Sequence, residues 1–176
     1  MKHISLLPLA LLWAGAAAAQ HGGHHAVPSA GYGALASREI KALAADEVES
    51  LRAGRGMSLA LPAELNGYPG PLHTLEHGQA LGLSAEQRAA TEVLMAGHRE
   101  EARRLGAAVI EAERALDQAF ARREADASRV RTLVTEAARL RGELRASHLL
   151  AHVEQTRLLS AEQAEQYQRL RGYAKN

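Results

Sequence analysis

Leu83-Ser84-Ala85-Glu86-Gln87 and Leu159-Ser160-Ala161-Glu162-Gln163 are the same five residues, met twice in a chain of 176. In each copy the serine oxygen can accept from a free backbone N–H in the first turn of a helix. The glutamine three residues on can accept from the serine's own N–H, so each copy reads as a capping box. Helices are therefore expected to begin at Ala85 and Ala161. Leu94 and Leu170 each lie ten residues beyond their serine, which carries the likeness slightly past the pentapeptide.

Outward from the first box, Leu94, His98, Ala102, Leu105, Val109, Ala112, Leu116 and Phe120 recur at steps of three or four. They predict one face of a long amphipathic helix over residues 85–123. At 1.5 Å per residue it spans about 57 Å. Asp126 is placed to cap a second long helix, whose stripe is Val130, Leu133, Ala137, Leu140, Leu144, His148, Ala151 and Leu158. The two must form an antiparallel hairpin, and the second box then starts a final short helix. On the other side, Pro71 suits the first position of a short helix reaching about Leu81, which Gly82 breaks. The fold class is all-α: a four-helix domain over residues 71–172, a long hairpin flanked by two short helices. A hairpin alone has little interior, so its stripes are expected to meet a second copy in a homodimer.

The ends of the chain bound its compartment. Lys2 and His3 precede an apolar run from Ile4 to Ala19 that closes on Ala17-x-Ala19, so residues 1–19 read as a cleaved signal peptide. No other segment is apolar enough to cross a bilayer, and no stable membrane insertion is expected after cleavage. Removing Lys2 leaves 20 basic against 20 acidic side chains, a balance that does not favour nucleic acid. With no cysteine, a disulfide frame, a thiolate metal site and a thiol nucleophile are all excluded. Residues 20–36, rich in Gly, His and Ala without apolar period, read as a disordered mature N-terminus. Residues 37–70 read as a short helix followed by a Gly/Pro-rich linker with no functional account.

Eight of the nine histidines lie beyond the signal peptide, and three pairs are spaced i,i+4: His21 with His25, His73 with His77, and His148 with His152. On a helix that spacing puts two imidazoles on one face, a turn apart, where both can grip one ion. A hairpin turn centred near residue 125 sets His98 opposite His152. Folding the first short helix back about Gly82 brings His77 toward Glu92. The candidate metal ligands are thus His73, His77, Glu92, His98, His148 and His152, with a looser second site at His21, His24 and His25. Neutral imidazoles with a carboxylate suit Zn, Ni, Co or Cu and disfavour Ca or Mg. Catalysis has little support: Ser147 and His148 are adjacent on a helix, point about 100° apart, and have no evident acidic orienter.

The signal peptide, the absence of cysteine, the four helices and the doubled Leu-Ser-x-x-Gln together resemble the LTxxQ-motif family of bacterial periplasmic proteins, which includes Spy, CpxP, ZraP and CnrX. The likeness covers about residues 71–172, with Ser84 and Ser160 where threonine is common. The resemblance implies an all-helical, cradle-like dimer in the periplasm and one of two roles. One is metal sensing or resistance of the CnrX and ZraP kind, working through a membrane sensor or anti-sigma partner. The other is an ATP-independent chaperone of the Spy and CpxP kind, holding unfolded periplasmic proteins with its histidines incidental. In the CnrX branch the resemblance aligns His73 and His77 with a first ligand pair, Glu92 with a glutamate, and His148 with a late histidine. His152 stands where that branch has methionine.

Overall fold

The computed structural model describes residues 30–173. Among them the chain forms helices and no strand: α1 (Ala30–Ala36), α2 (Ala45–Ala53), α3 (Leu61–Glu64), α4 (Pro71–Glu76), α5 (Ala85–Ala121), α6 (Ala127–Leu158) and α7 (Ala161–Leu170). The expected signal peptide, residues 1–19, and the looser site expected at His21, His24 and His25 lie outside the described residues. Residues 30–36, expected to be disordered, are helical instead. The short helix expected from residue 37 begins only at Ala45, and α3 lies in what the sequence presented as linker.

Both capping boxes close. Ser84 Oγ accepts from Gln87 N and Gln87 Oε1 from Ser84 N, each at 3.1 Å. Ser160 and Gln163 repeat the exchange at 3.2 and 2.9 Å. Asp126 Oδ1 accepts from the backbone N–H groups of Ser128 and Arg129 at 2.9 and 2.8 Å, which starts α6 where the sequence placed it. Pro71 occupies the start of α4, and Gly82 takes φ 60° at the break before α5.

α5 and α6 pack along their length, and their buried residues recur in rows of seven: Ala102 and Val109 on α5, Ala137, Leu144 and Ala151 on α6. That spacing belongs to two helices coiling about each other at 3.5 residues per turn. It corrects the end of the predicted stripe, because the row through Leu105 reaches buried Ala119, and Phe120 is left 58% exposed.

The interior that a bare hairpin lacks comes from the same chain. Ile40, Leu43 and Leu51 join Ala102, Leu105, Val109, Ile110, Leu140 and Leu144 in one core cluster. α2 lies so close on α5 that a Cβ on Gly106 would stand 2.2 Å from the Leu51 carbonyl oxygen. The middle of the stripe, expected to meet a second copy, is thus covered by residues 40–51. No described helix is long and apolar enough to cross a membrane.

Candidate metal centre

Toward the open end of the hairpin the seam changes character. Leu and Val give way to His98 facing His148, then Thr91 facing Gln155, then Gln87 facing Gln163. Gln155 Nε2 donates to Thr91 Oγ1 at 3.2 Å inside a fully buried pair. The side-chain amides of Gln87 and Gln163 bond head to tail, Nε2 to Oε1, at 2.8 and 2.9 Å. Each Nε2 donates again to the chain that precedes the other's helix: Gln87 to the Leu158 carbonyl at 2.9 Å, Gln163 to the Leu81 carbonyl at 3.2 Å. The two copies of the pentapeptide therefore clasp each other as well as capping their own helices.

One clasp back from that end, His98 Nε2 lies 3.0 Å from His148 Nδ1, with the rings edge to face. The expected opposition of His98 and His152 is thus corrected by one helical turn. The facing pairs His98–His148 and Thr91–Gln155 each sum to 246 rather than 250, so the register of the hairpin centres on residue 123, two residues short of the expected 125. His148 is 4% exposed, and its Nε2 is buried without a hydrogen-bond partner. Burial, with His98 and His152 nearby, pushes the His148 pKa down to about 4. His98 is lowered as well, first by burial and then by the neighbouring His152 and Arg99. Both shifts favour the neutral imidazole, and in the bond between the rings one nitrogen lone pair accepts from the other ring's N–H, so a metal ion would have to displace that bond.

This pair borders a cavity of about 610 Å³ between the hairpin and the segment from Ala53 to His73, and His73 and His152 line it too. His73 Nδ1 is bonded to Glu76 at 2.6 Å. His152 Nδ1 lies 2.8 Å from the Tyr68 carbonyl and 3.5 Å from Glu64 Oε2. Glycine is required opposite it, since a Cβ on Gly70 would meet the His152 ring at 2.6 Å.

Of the six ligands predicted from sequence, the structure brings four to one cavity: His73, His98, His148 and His152. His77 ends α4 and Glu92 is exposed on α5, and neither is among the residues lining the cavity. The carboxylate that does line it is Glu64, which sequence reasoning missed. It is 8% exposed and accepts from Tyr167 Oη at 2.6 Å and from Arg171 Nε at 3.3 Å. The Tyr167 hydroxyl also accepts from Gly70 N at 3.2 Å. Burial and the Glu64 charge raise its pKa well above the usual phenol range. The one available signal was an acidic residue set directly between apolar ones, Ala63-Glu64-Leu65.

Among the described residues, no three His, Asp or Glu side chains stand together closely enough to hold an ion as they lie. What is assembled is a neutral imidazole pair with two further imidazoles on the same cavity wall. Ser147, beside His148, spends its hydroxyl on the Leu144 carbonyl at 3.1 Å. Compared with known proteins, residues 56–166 match the profile of a family described as heavy-metal resistance. No curated protein and no solved structure matches the chain.

Proposed function

The chain belongs to the heavy-metal resistance family, and from that premise we propose that it binds a transition-metal ion in the periplasm, as a sensing or resistance protein of the CnrX and ZraP type. The observation that carries this reading is the His98–His148 pair. Two neutral imidazoles in mutual contact, one with a buried nitrogen that has no partner, are donors of the type that Zn, Ni, Co and Cu accept. His98 and His148 would hold the ion, and His73 and His152 are the further donors available on the cavity wall. Replacing the hydrogen bond between the two rings is the cost of entry. The ion is cargo or signal here, and we assign the protein no catalytic step.

The family match and the helical hairpin support this reading, and so does the neutrality of the donors, since a ligating imidazole must first be free of its proton. Calorimetric titration of the protein with Zn(II), Ni(II), Co(II) and Cu(II) tests it. Stoichiometric uptake that His98→Ala/His148→Ala abolishes is the expected result. Uptake unchanged in that variant, for every metal, rejects the site.

A second reading draws on a different observation. Leu61, Leu65, Tyr68 and Leu72 are each between 43% and 55% exposed within twelve residues, a run that suits the holding of unfolded clients. Suppression of aggregation of a reduced client by the His98→Ala/His148→Ala variant would support a chaperone role independent of metal. Light scattering decides whether either role is carried by a homodimer.

A further inference from the structure

The cavity beside His98 and His148 has sulfur on its wall. The chain contains three methionines, Met1, Met57 and Met95, and the latter two both line this cavity. Met95 precedes His98 by three residues on α5, which puts the thioether and the imidazole on one helix face. Met57 arrives from the other side. A Cβ built on its neighbour Gly56 would lie 4.0 Å from His148 Nδ1, so the backbone that carries Met57 is laid against the histidine pair.

The turn that presents Met57 is unusual. Met57 and Ser58 have φ of 43° and 62°, and Leu59 N donates to the Gly56 carbonyl at 2.7 Å. Two consecutive positive φ values closed by that bond make a type I′ turn, a geometry for which Asn-Gly is the favoured pair. Neither Met nor Ser adopts it readily, and strained backbone of this kind gathers at ligand sites.

Charge narrows what the cavity can take. Glu64 is the one carboxylate among its lining residues; its Oε1 accepts from Tyr167 and Arg171, and its Oε2 lies 3.5 Å from His152 Nδ1. Arg55, Arg99 and Arg103 also stand on the wall. A cationic wall repels a divalent ion about twice as strongly as a monovalent one at the same distance. Uncharged thioether and imidazole donors favour soft ions.

We propose that this cavity is a site for a soft monovalent ion, Cu(I) or Ag(I), with the Met57 and Met95 thioethers as ligands beside His98 and His148. It rests on the metal-binding reading above and names the class of ion. The nitrogen and oxygen donors do not by themselves close around an ion, and the two thioethers supply the missing donors. Binding involves no change of oxidation state.

Ag(I), which is redox-inert, is the direct probe, added as the nitrate in chloride-free buffer. The expected result is a loss of tenfold or more in Ag(I) affinity in Met57→Leu/Met95→Leu, with Zn(II) and Ni(II) uptake altered less than threefold. Leucine keeps the volume of methionine, and circular dichroism checks that the fold is kept. In protein labelled with 13C at the methionine methyls, one equivalent of Ag(I) should shift the Met57 and Met95 signals together. Unchanged Ag(I) affinity in the leucine variant, or unmoved methyl signals, overturns the thioether site and leaves a nitrogen-only metal site standing. Failure of His98→Ala/His148→Ala to alter the uptake of any metal, Ag(I) included, overturns both.

Discussion

Gln87 and Gln163, equivalent residues of the two pentapeptides, hold each other by a reciprocal pair of amide hydrogen bonds at 2.8 and 2.9 Å. Each is also the third residue of its own helix and closes its own capping box. One side chain thus fixes where a helix starts and where that start lies relative to the other. The duplication is functional geometry in a narrow sense: it shuts the open end of the hairpin and sets the register that places His98 against His148.

Removing either glutamine should therefore cost more than a cap. Gln87→Ala and Gln163→Ala are each expected to lower unfolding free energy by about 1–3 kcal/mol. In a double-mutant cycle by urea denaturation they should couple by roughly 1 kcal/mol or more. Additive effects would mean that the clasp contributes nothing beyond two independent caps.

Stability should fall in mild acid. With a folded pKa of about 4 against about 6.5 in the unfolded chain, the unfolded state binds more protons across that interval. The stabilisation associated with neutral His148 is complete above about pH 6.5 and is lost as the pH falls toward 4, on the order of 2 to 3 kcal/mol. His148→Leu, close in size and unable to titrate, should flatten the dependence of the urea midpoint over that range. An unaltered slope would place the acid sensitivity elsewhere.

Gly106 is the tightest point between α2 and α5. Its missing Cβ leaves room for the Leu51 backbone, which cannot yield as a side chain end can. Gly106→Ala, although it favours helix locally, is expected to destabilise by about 2 kcal/mol or more by forcing α2 away. A neutral or stabilising effect in thermal unfolding would show that α2 is not held in this contact.

Tyr167 ties the end of the chain to the segment that roofs the cavity. Tyr167→Phe removes the hydroxyl from Glu64 and the acceptor from Gly70 N, and is expected to cost about 2 kcal/mol. Amide exchange at residues 64–70 should rise more than in the α5–α6 core. Uniform exchange changes would argue against a local tie.

The helix starts were legible because caps are local: Ser84, Ser160, Asp126 and Pro71 mark them within three residues of sequence. The seam was legible too, from its period. The register was not, since each residue by which the turn centre moves shifts every facing pair by two, and a centre two residues earlier carried His98 from His152 to His148. Glu64 escaped for a related reason: the partner that explains it, Tyr167, stands 103 residues away. Residues 40–51 and Met57 share that difficulty, as their places are set by packing on α5 rather than by any local pattern.

Histidine-resolved 15N NMR decides whether His98 and His148 hold the ion, because it observes each imidazole nitrogen rather than total uptake. Zn(II) and Ag(I), both diamagnetic, would be added to separate samples at one equivalent. With at least one of them, the ring nitrogens of His98 and His148 should shift together and the hydrogen bond between them should be lost. If, with both ions, the shifts are confined to His21, His24 and His25 while His98 and His148 stay unmoved, the metal centre proposed at the hairpin's open end is contradicted.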